Sequence, residues 1–440
     1  MTPILPQWPQ RSVILDLLGP WLTAQRWFPG TDTRHARVIH YADFAEDERF
    51  RILVIALESG AWVHVPLVWE PTWDGPGLIC GTDEGDGVLV DAVTHPGFLA
   101  TWLASAREAG TLGLLGTQDP SAIAAQLARE LPSARPLGQE QSNSSVVLAG
   151  DVPAMIKFFR VLVVGDHPEV AVPLALAADG FDAVPTPLGY STMMVGGPEH
   201  QAERVCTATI AALVPDAEDG FARFTAHARD GIDPTEDARA LGQMTRELHT
   251  HLLHALGHAE PMTGGGLALR ITTEARLAIA ASLELRTDQA SLERLDALAE
   301  LLQTLGALPP AQRIHGDYHL GQCLYSQGKW FVLDFEGEPL RPLDERIAPD
   351  EKLRDVAGML RSFDYARAVG GADDAWCRAA EDAYLAGYFG EAGPTQAEDV
   401  LLQAFVIEKA LYEVRYEAGQ RPDWEYIPLT ALRRALTNFG

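Results

Sequence analysis

The segment Ile314-His315-Gly316-Asp317-Tyr318-His319-Leu320-Gly321-Gln322, followed by Phe331-Val332-Leu333-Asp334-Phe335-Glu336-Gly337, places two carboxylates and an amide on short loops joined by a hairpin-like stretch. That set suits phosphoryl transfer, which needs an aligned hydroxyl and cations to absorb developing charge but little covalent work. Asp317 is placed to touch the acceptor and to accept or orient the proton of its attacking hydroxyl. Gln322 and Asp334 offer the hard oxygen atoms that Mg2+ prefers. A turn-capping role competes for Asp317 taken alone. The joint spacing of three oxygen-bearing side chains favours one metal-filled cleft. His315 and His319 are not read as a metal pair, because Gly316 and Gly321 disfavour a helix and magnesium avoids imidazole. His315 is expected to organise the loop, His319 to support it, and Asp355 to brace it from a following helix.

Lys157 lies inside the apolar run Ala154–Phe159, where a bare ammonium is costly and a bound anion explains it better. It is the candidate for the α- and β-phosphates of ATP. Ser142 and Ser144, in a strand-entry turn, are expected near the phosphates through their backbone N–H groups, without any GxGxxG or GxxxxGK[ST] loop. Ala212, Leu213 and Val214 read as a hinge whose backbone meets adenine. Asp219 is assigned to the ribose, with a helix N-cap as its alternative. Glu413, Tyr416 and Trp424, where a helix ends and turns at Pro422, form an acidic and aromatic platform suited to a sugar.

These residues need a scaffold. The 440-residue length implies more than one core, and 47% apolar with 22% charged residues is ordinary globular composition. Basic residues number 34 against 61 acidic, for a formal charge of −27, which excludes nucleic acid or anionic lipid as a partner. No apolar run is long enough for a membrane span and no signal core opens the chain, so a cytoplasmic protein is expected, with a monomer favoured. Cys80, Cys206, Cys323 and Cys377 are widely spaced and read as reduced, packed thiols.

Alternation predicts strands at Val38–Tyr41, Phe50–Leu57 and Trp62–Val68, after a helix over Ser12–Leu22 and before one over His95–Glu108. Strands follow at Val146–Leu148, Ala154–Phe159 and Val205–Val214, with a helix at His167–Ala178. Helices are predicted at Ala238–Leu256, Ile271–Leu285, Gln289–Leu305, Asp350–Ala366, Trp376–Phe389 and Thr395–Tyr416. The fold class is α+β. Residues 1–115 form a mixed cap, 116–214 a small sheet-rich lobe carrying the phosphate and hinge residues, and 215–440 a helical lobe carrying the catalytic, magnesium and sugar sites.

Long runs resemble the bacterial maltokinase group and its relatives the glucosamine kinases, within the aminoglycoside-phosphotransferase (protein-kinase-like) superfamily. The runs are Gln25–Phe28, Glu140–Asn143, His315–Gln322, Asp334–Pro339, Leu353–Phe363 and Arg421–Trp424. The resemblance implies a two-lobed kinase fold behind an N-terminal cap. It also implies Asp317 as catalytic residue, Gln322 and Asp334 as magnesium ligands, and Lys157 on the ATP phosphates. It puts the acidic partner of Lys157 at Ala171, although Glu169 is the nearby carboxylate. Pro29–Thr33 departs from maltokinases, while Pro215–Phe221 and His167–Val170 are closer to glucosamine kinases. By similarity Glu413 lies in the sugar site, where a carboxylate pairs with an ammonium. The expected reaction is therefore ATP + D-glucosamine = ADP + D-glucosamine 6-phosphate. Maltose phosphorylated at its anomeric hydroxyl is the first alternative, and an aminoglycoside the second.

Overall fold

In Phe50–Ala56 and Trp62–Glu70 nearly every residue is buried, because both faces of these strands are covered. Leu53, Ile55, Val63, Val65 and Leu67 pack with Ile14, Leu18, Leu22 and Trp27. Phe50, Ile52 and Val68 pack with Phe98, Trp102, Ile156 and Phe158 instead. The period-2 alternation of a strand thus serves two cores at once. The structure is a computed structural model, and it describes residues 8–10, 13–44, 47–81, 87–108, 110–114, 120–137, 143–197, 200–338 and 343–438.

Contacts divide the chain into one unit of Met1–Ala171 with Pro185–Pro215, and a second of Val172–Val184 with Asp216–Gly440. The first unit holds two antiparallel sheets. One runs in the order Arg37–Asp43, Phe50–Ala56, Trp62–Glu70, Val88–Asp91, Leu78–Gly81, with Val161–Leu162 also on Trp62–Glu70. The other runs Leu112–Leu114, Pro187–Gly197, His200–Ala212, Ala154–Phe159, Asn143–Leu148, Arg135–Pro136. Arg160, 1% exposed, joins them: it pairs with Asp91, donates to Ser144 Oγ at 2.8 Å, and lies 4.9 Å from the Trp27 ring.

The second unit is mainly helical, with a large core that includes Leu241, Leu248, Leu320, Val356, Phe363, Phe405 and Leu411. The predicted helix Ile271–Leu285 is two helices, Gly264–Ala281 and Leu283–Thr287. Ser282 is non-helical (ψ 119°) and its side chain caps the second by accepting from Leu285 N–H. The prediction lacked the helices Pro120–Glu130, Gly220–Asp230 and Tyr426–Asn438. Gly220 at the start of one, a poor helix former, obscured its onset. Among the described residues no helix is long and apolar enough to cross a membrane.

Candidate active site

The loop bearing Asp317 is shaped by glycine and by a buried carboxylate. Gly316 adopts φ +89°, a conformation that side chains resist. Gly358, on the helix Leu353–Gly370, lets the loop approach: a Cβ there would sit 2.5 Å from the Tyr318 carbonyl oxygen. From the first turn of that helix Asp355 accepts from the N–H groups of His315 (2.7 Å) and Gly316 (2.9 Å), the bracing expected of it. His249 adds a third hydrogen bond to Asp355 at 3.2 Å and is itself held by Tyr388 at 2.9 Å. Burial by itself would raise the Asp355 pKa. The hydrogen bonds from His249 and the Gly316 N–H outweigh burial and hold it below the usual carboxylate range.

The loops that carry Asp317, Gln322 and Asp334 are stitched together through Leu333. His315 Nε2–H donates to the Leu333 carbonyl at 2.7 Å, which leaves Nδ1 to accept from Asp317 N–H at 3.3 Å. Leu333 N–H donates to the Gln322 carbonyl at 2.9 Å, and Gln322 N–H to that of His319 at 2.9 Å. Between them lies a hairpin, Cys323–Ser326 with Lys329–Val332, turned through Gln327 (φ 49°) and Gly328 (φ 84°). Asp334 itself sits at φ 62°, an uncommon conformation outside glycine that Asp tolerates better than most. It brings Asp334 Oδ2 to 3.3 Å from the Gln322 amide. His319, half-buried, caps the Leu320–Gln322 turn and lies 3.9 Å from Asp317 Oδ2. Burial lowers its pKa, and the charges of both Asp317 and Asp334 act on it.

The donor set fits magnesium: one carboxylate and one amide, with neither thiolate nor imidazole. Among the described residues no cluster of three or more His, Cys, Asp or Glu forms a metal cage. A two-ligand site completed by phosphate oxygens and water is the usual protein share for this ion.

The other predicted residues fall as follows. Lys157 Nζ lies 3.3 Å from Glu169 Oε1, so the partner is Glu169 and not the Ala171 position that resemblance suggested. His167 orients it, stacking on Phe159 at 3.7 Å and accepting from Glu169 N–H. The Ser144 hydroxyl is engaged by Arg160, and Ser142 lies outside the described residues. The N–H groups of Ala212 and Leu213 donate to Thr186 and Pro153. Asp219 caps the Gly220–Asp230 helix, accepting from Ala222 N–H at 2.8 Å.

Glu413 is bound by Arg361 (2.8 Å), a guanidinium 2% exposed that also holds Asp364 (2.7 Å). Burial raises the Glu413 pKa against the pull of Arg361 and Lys409. Tyr416 stacks on Tyr412, and Trp424 lies against Tyr365 and the Arg421 guanidinium. Sequence reasoning did not single out Lys409, Glu338 or Arg361. A charged pair inside Ile407-Glu408-Lys409-Ala410-Leu411 is the same signal that marked Lys157.

No model of a known protein family matches the chain. Glucosamine kinase of Mycolicibacterium smegmatis is 30% identical over 322 residues, covering 68% of this chain and 78% of that protein. The chain belongs to the glucosamine kinase family. It is thereby a phosphotransferase with an alcohol group as acceptor. A second glucosamine kinase, from Streptacidiphilus jiangxiensis, is 28% identical over 407 residues, 86% of each chain. Among solved structures, glucosamine kinase in one crystal form superposes with a TM-score of 0.68 at 24% identity, over 98% of this chain and all of that one. Another, in complex with glucosamine, ADP and inorganic phosphate, gives 0.66 at 23% identity over 98% and 99%. These two likenesses establish the kinase-like α+β fold.

Proposed function

We propose that this member of the glucosamine kinase family transfers the γ-phosphoryl group of ATP to the 6-hydroxyl of D-glucosamine, giving ADP and glucosamine 6-phosphate. The observation that carries this reading is the stitching of the Asp317, Gln322 and Asp334 loops through Leu333. It holds the three oxygen donors of a phosphotransferase site on one hydrogen-bonded frame. The 30% identity to a glucosamine kinase supports the choice of acceptor.

Asp317 takes the role of accepting the proton of the attacking hydroxyl. Gln322 and Asp334 would hold Mg2+, whose charge offsets that of the transferring phosphoryl group. Lys157, fixed by Glu169, is assigned to the α- and β-phosphates. With the Ala212 and Leu213 N–H groups committed, adenine reading falls to Val214 and the carbonyl groups of that segment, and Asp219 keeps the ribose as a second role beside its cap. Ser142 and Ser144 contribute backbone N–H groups near the phosphates. Glu413, Tyr416 and Trp424 are the aminosugar end. We assign the reaction to a monomer in the cytoplasm, where ATP is supplied.

The test is ADP release with ATP and Mg2+ across glucosamine, glucose, maltose and an aminoglycoside. Glucosamine should give the largest kcat/KM. A larger value for maltose, with none for glucosamine, overturns the acceptor assignment.

A further inference from the structure

Asp317 is the open end of a buried ladder of alternating charge. Arg270 binds Asp350 (2.8 Å) and Glu408 (2.9 Å); Arg354 binds Asp350 (3.2 Å) and Glu338 (2.6 Å); Lys409 binds Glu338 (2.7 Å) and Asp317 (3.1 Å). The cations come from three helices, Gly264–Ala281, Leu353–Gly370 and Gln396–Gln420. The Glu338 side chain is 2% exposed, whereas that of Asp317 is 17% exposed and lines a small cleft with Glu338, Arg354, Glu408, Lys409 and Tyr412.

Burial disfavours the Lys409 ammonium, but Glu338 and Asp317 outweigh it and raise its pKa above the ordinary lysine value. Glu338 satisfies the first requirement of a buried cation, a close carboxylate. The contact to Asp317 is a second bond, to a different loop. Among the described residues it is the one hydrogen bond that the Asp317 carboxylate receives, and it falls on Oδ1. Oδ2 lies 3.9 Å from His319, beyond hydrogen-bond reach.

We propose that Lys409 is a positioning residue for phosphoryl transfer: it clamps Asp317 through Oδ1 and so presents Oδ2 to the acceptor hydroxyl. The inference rests on the catalytic reading of Asp317 above. A loop carboxylate without this clamp turns freely about χ1 and χ2, and a misplacement of about 1 Å costs roughly 10²-fold in rate. The ladder makes the clamp stiff, since each rung is fixed by the next.

The experiment is a kinetic cycle with K409M, D317N, the pair K409M/D317N, and the charge-balanced pair K409M/E338Q, with melting temperatures alongside. K409M should lower kcat about 10²-fold while KM for glucosamine and ATP moves less than about threefold. In the D317N background the same change should cost less than about threefold, because nothing is left to position. K409M/E338Q restores the charge balance of the ladder, with Arg354 still on Asp350, so it should recover stability without recovering kcat, and it carries the test if K409M alone does not fold. Recovery of kcat in that pair, a full loss in the D317N background, or a change confined to the glucosamine KM overturns the proposal. Wild-type turnover on the acceptor panel is scored separately, so failure of the glucosamine assignment leaves the cycle to be read on whichever acceptor is used.

Discussion

Two stretches of one helix, Gln396–Gln420, treat charge in opposite ways. Near its middle, Lys409 is a cation on the helix that reaches out to an anion on a loop. One and two turns on, Glu413 and Glu417 are anions on the helix, each held by an arginine: Arg361 from another helix for Glu413, and the C-cap residue Arg421 for Glu417. Both arrangements bury ionised groups beside partners, which protects the fold against an uncompensated charge. They differ in what is left adjustable. At the first, the clamped group is a part-buried loop carboxylate that lines the cleft and is held through one oxygen. At the second, the carboxylate expected to meet an ammonium is already engaged through Oε2 by a guanidinium. On the proposed roles, a side chain that meets substrate is one whose own position the fold settles beforehand.

That contrast can be broken most severely at Asp317. D317N keeps size and the loop frame but loses the proton acceptor, so kcat should fall by about 10³- to 10⁴-fold while far-UV circular dichroism is unchanged. Next in size is R361M. It strips the cation shared by Asp364 and Glu413 and leaves both buried, so urea unfolding should show a loss of about 3–5 kcal/mol. E413Q sharpens the comparison without that collapse. The glucosamine KM should rise about 10- to 100-fold with a smaller effect for glucose, since a charge-assisted contact to an ammonium is replaced by a neutral one.

The smallest effect concerns a buried carboxylate of the same unit that lies outside both arrangements. Burial pushes Glu351 up to about 7, against the Leu353 N–H hydrogen bond and the Lys352 charge. Between the ordinary carboxylate value and about 7 the folded state holds more protons than the unfolded one, so stability falls as pH rises through that window. E351Q keeps a side-chain oxygen for Leu353 and removes the penalty. It should be more stable than the wild type by about 1–3 kcal/mol at pH near 8, with almost no gain near pH 4, in paired urea titrations.

Much of the site was legible before folding was considered, because loop chemistry is local. Gly316 needs its positive φ, Asp317 follows it, and Gln322 and Asp334 flank a hairpin whose turn residues are written in Gln327-Gly328. Strands such as Phe50–Ala56, Trp62–Glu70 and Ala154–Phe159 were legible for the same reason, through alternation and β-branched content, whereas Pro187–Gly197 was not. The helix Gly220–Asp230 was not, since Gly220 obscures its onset and its packing residues are few. Lys409 was hidden differently. Its contacts lie 71 and 92 positions away in the chain, at Glu338 and Asp317, and no local pattern records such a meeting.

Sequence by itself determined the chemistry on offer: hard oxygen donors at hairpin spacing, a lysine buried in a strand, and an acidic, aromatic helix end. Tertiary structure decided which charges face one another. It selected Glu169 for Lys157, Arg361 for Glu413, and Lys409 for Asp317. The physical reason is that backbone turns are fixed by residues a few positions apart. The partner of a buried charge is fixed instead by whichever helix packs against it, and by the cost of leaving that charge alone.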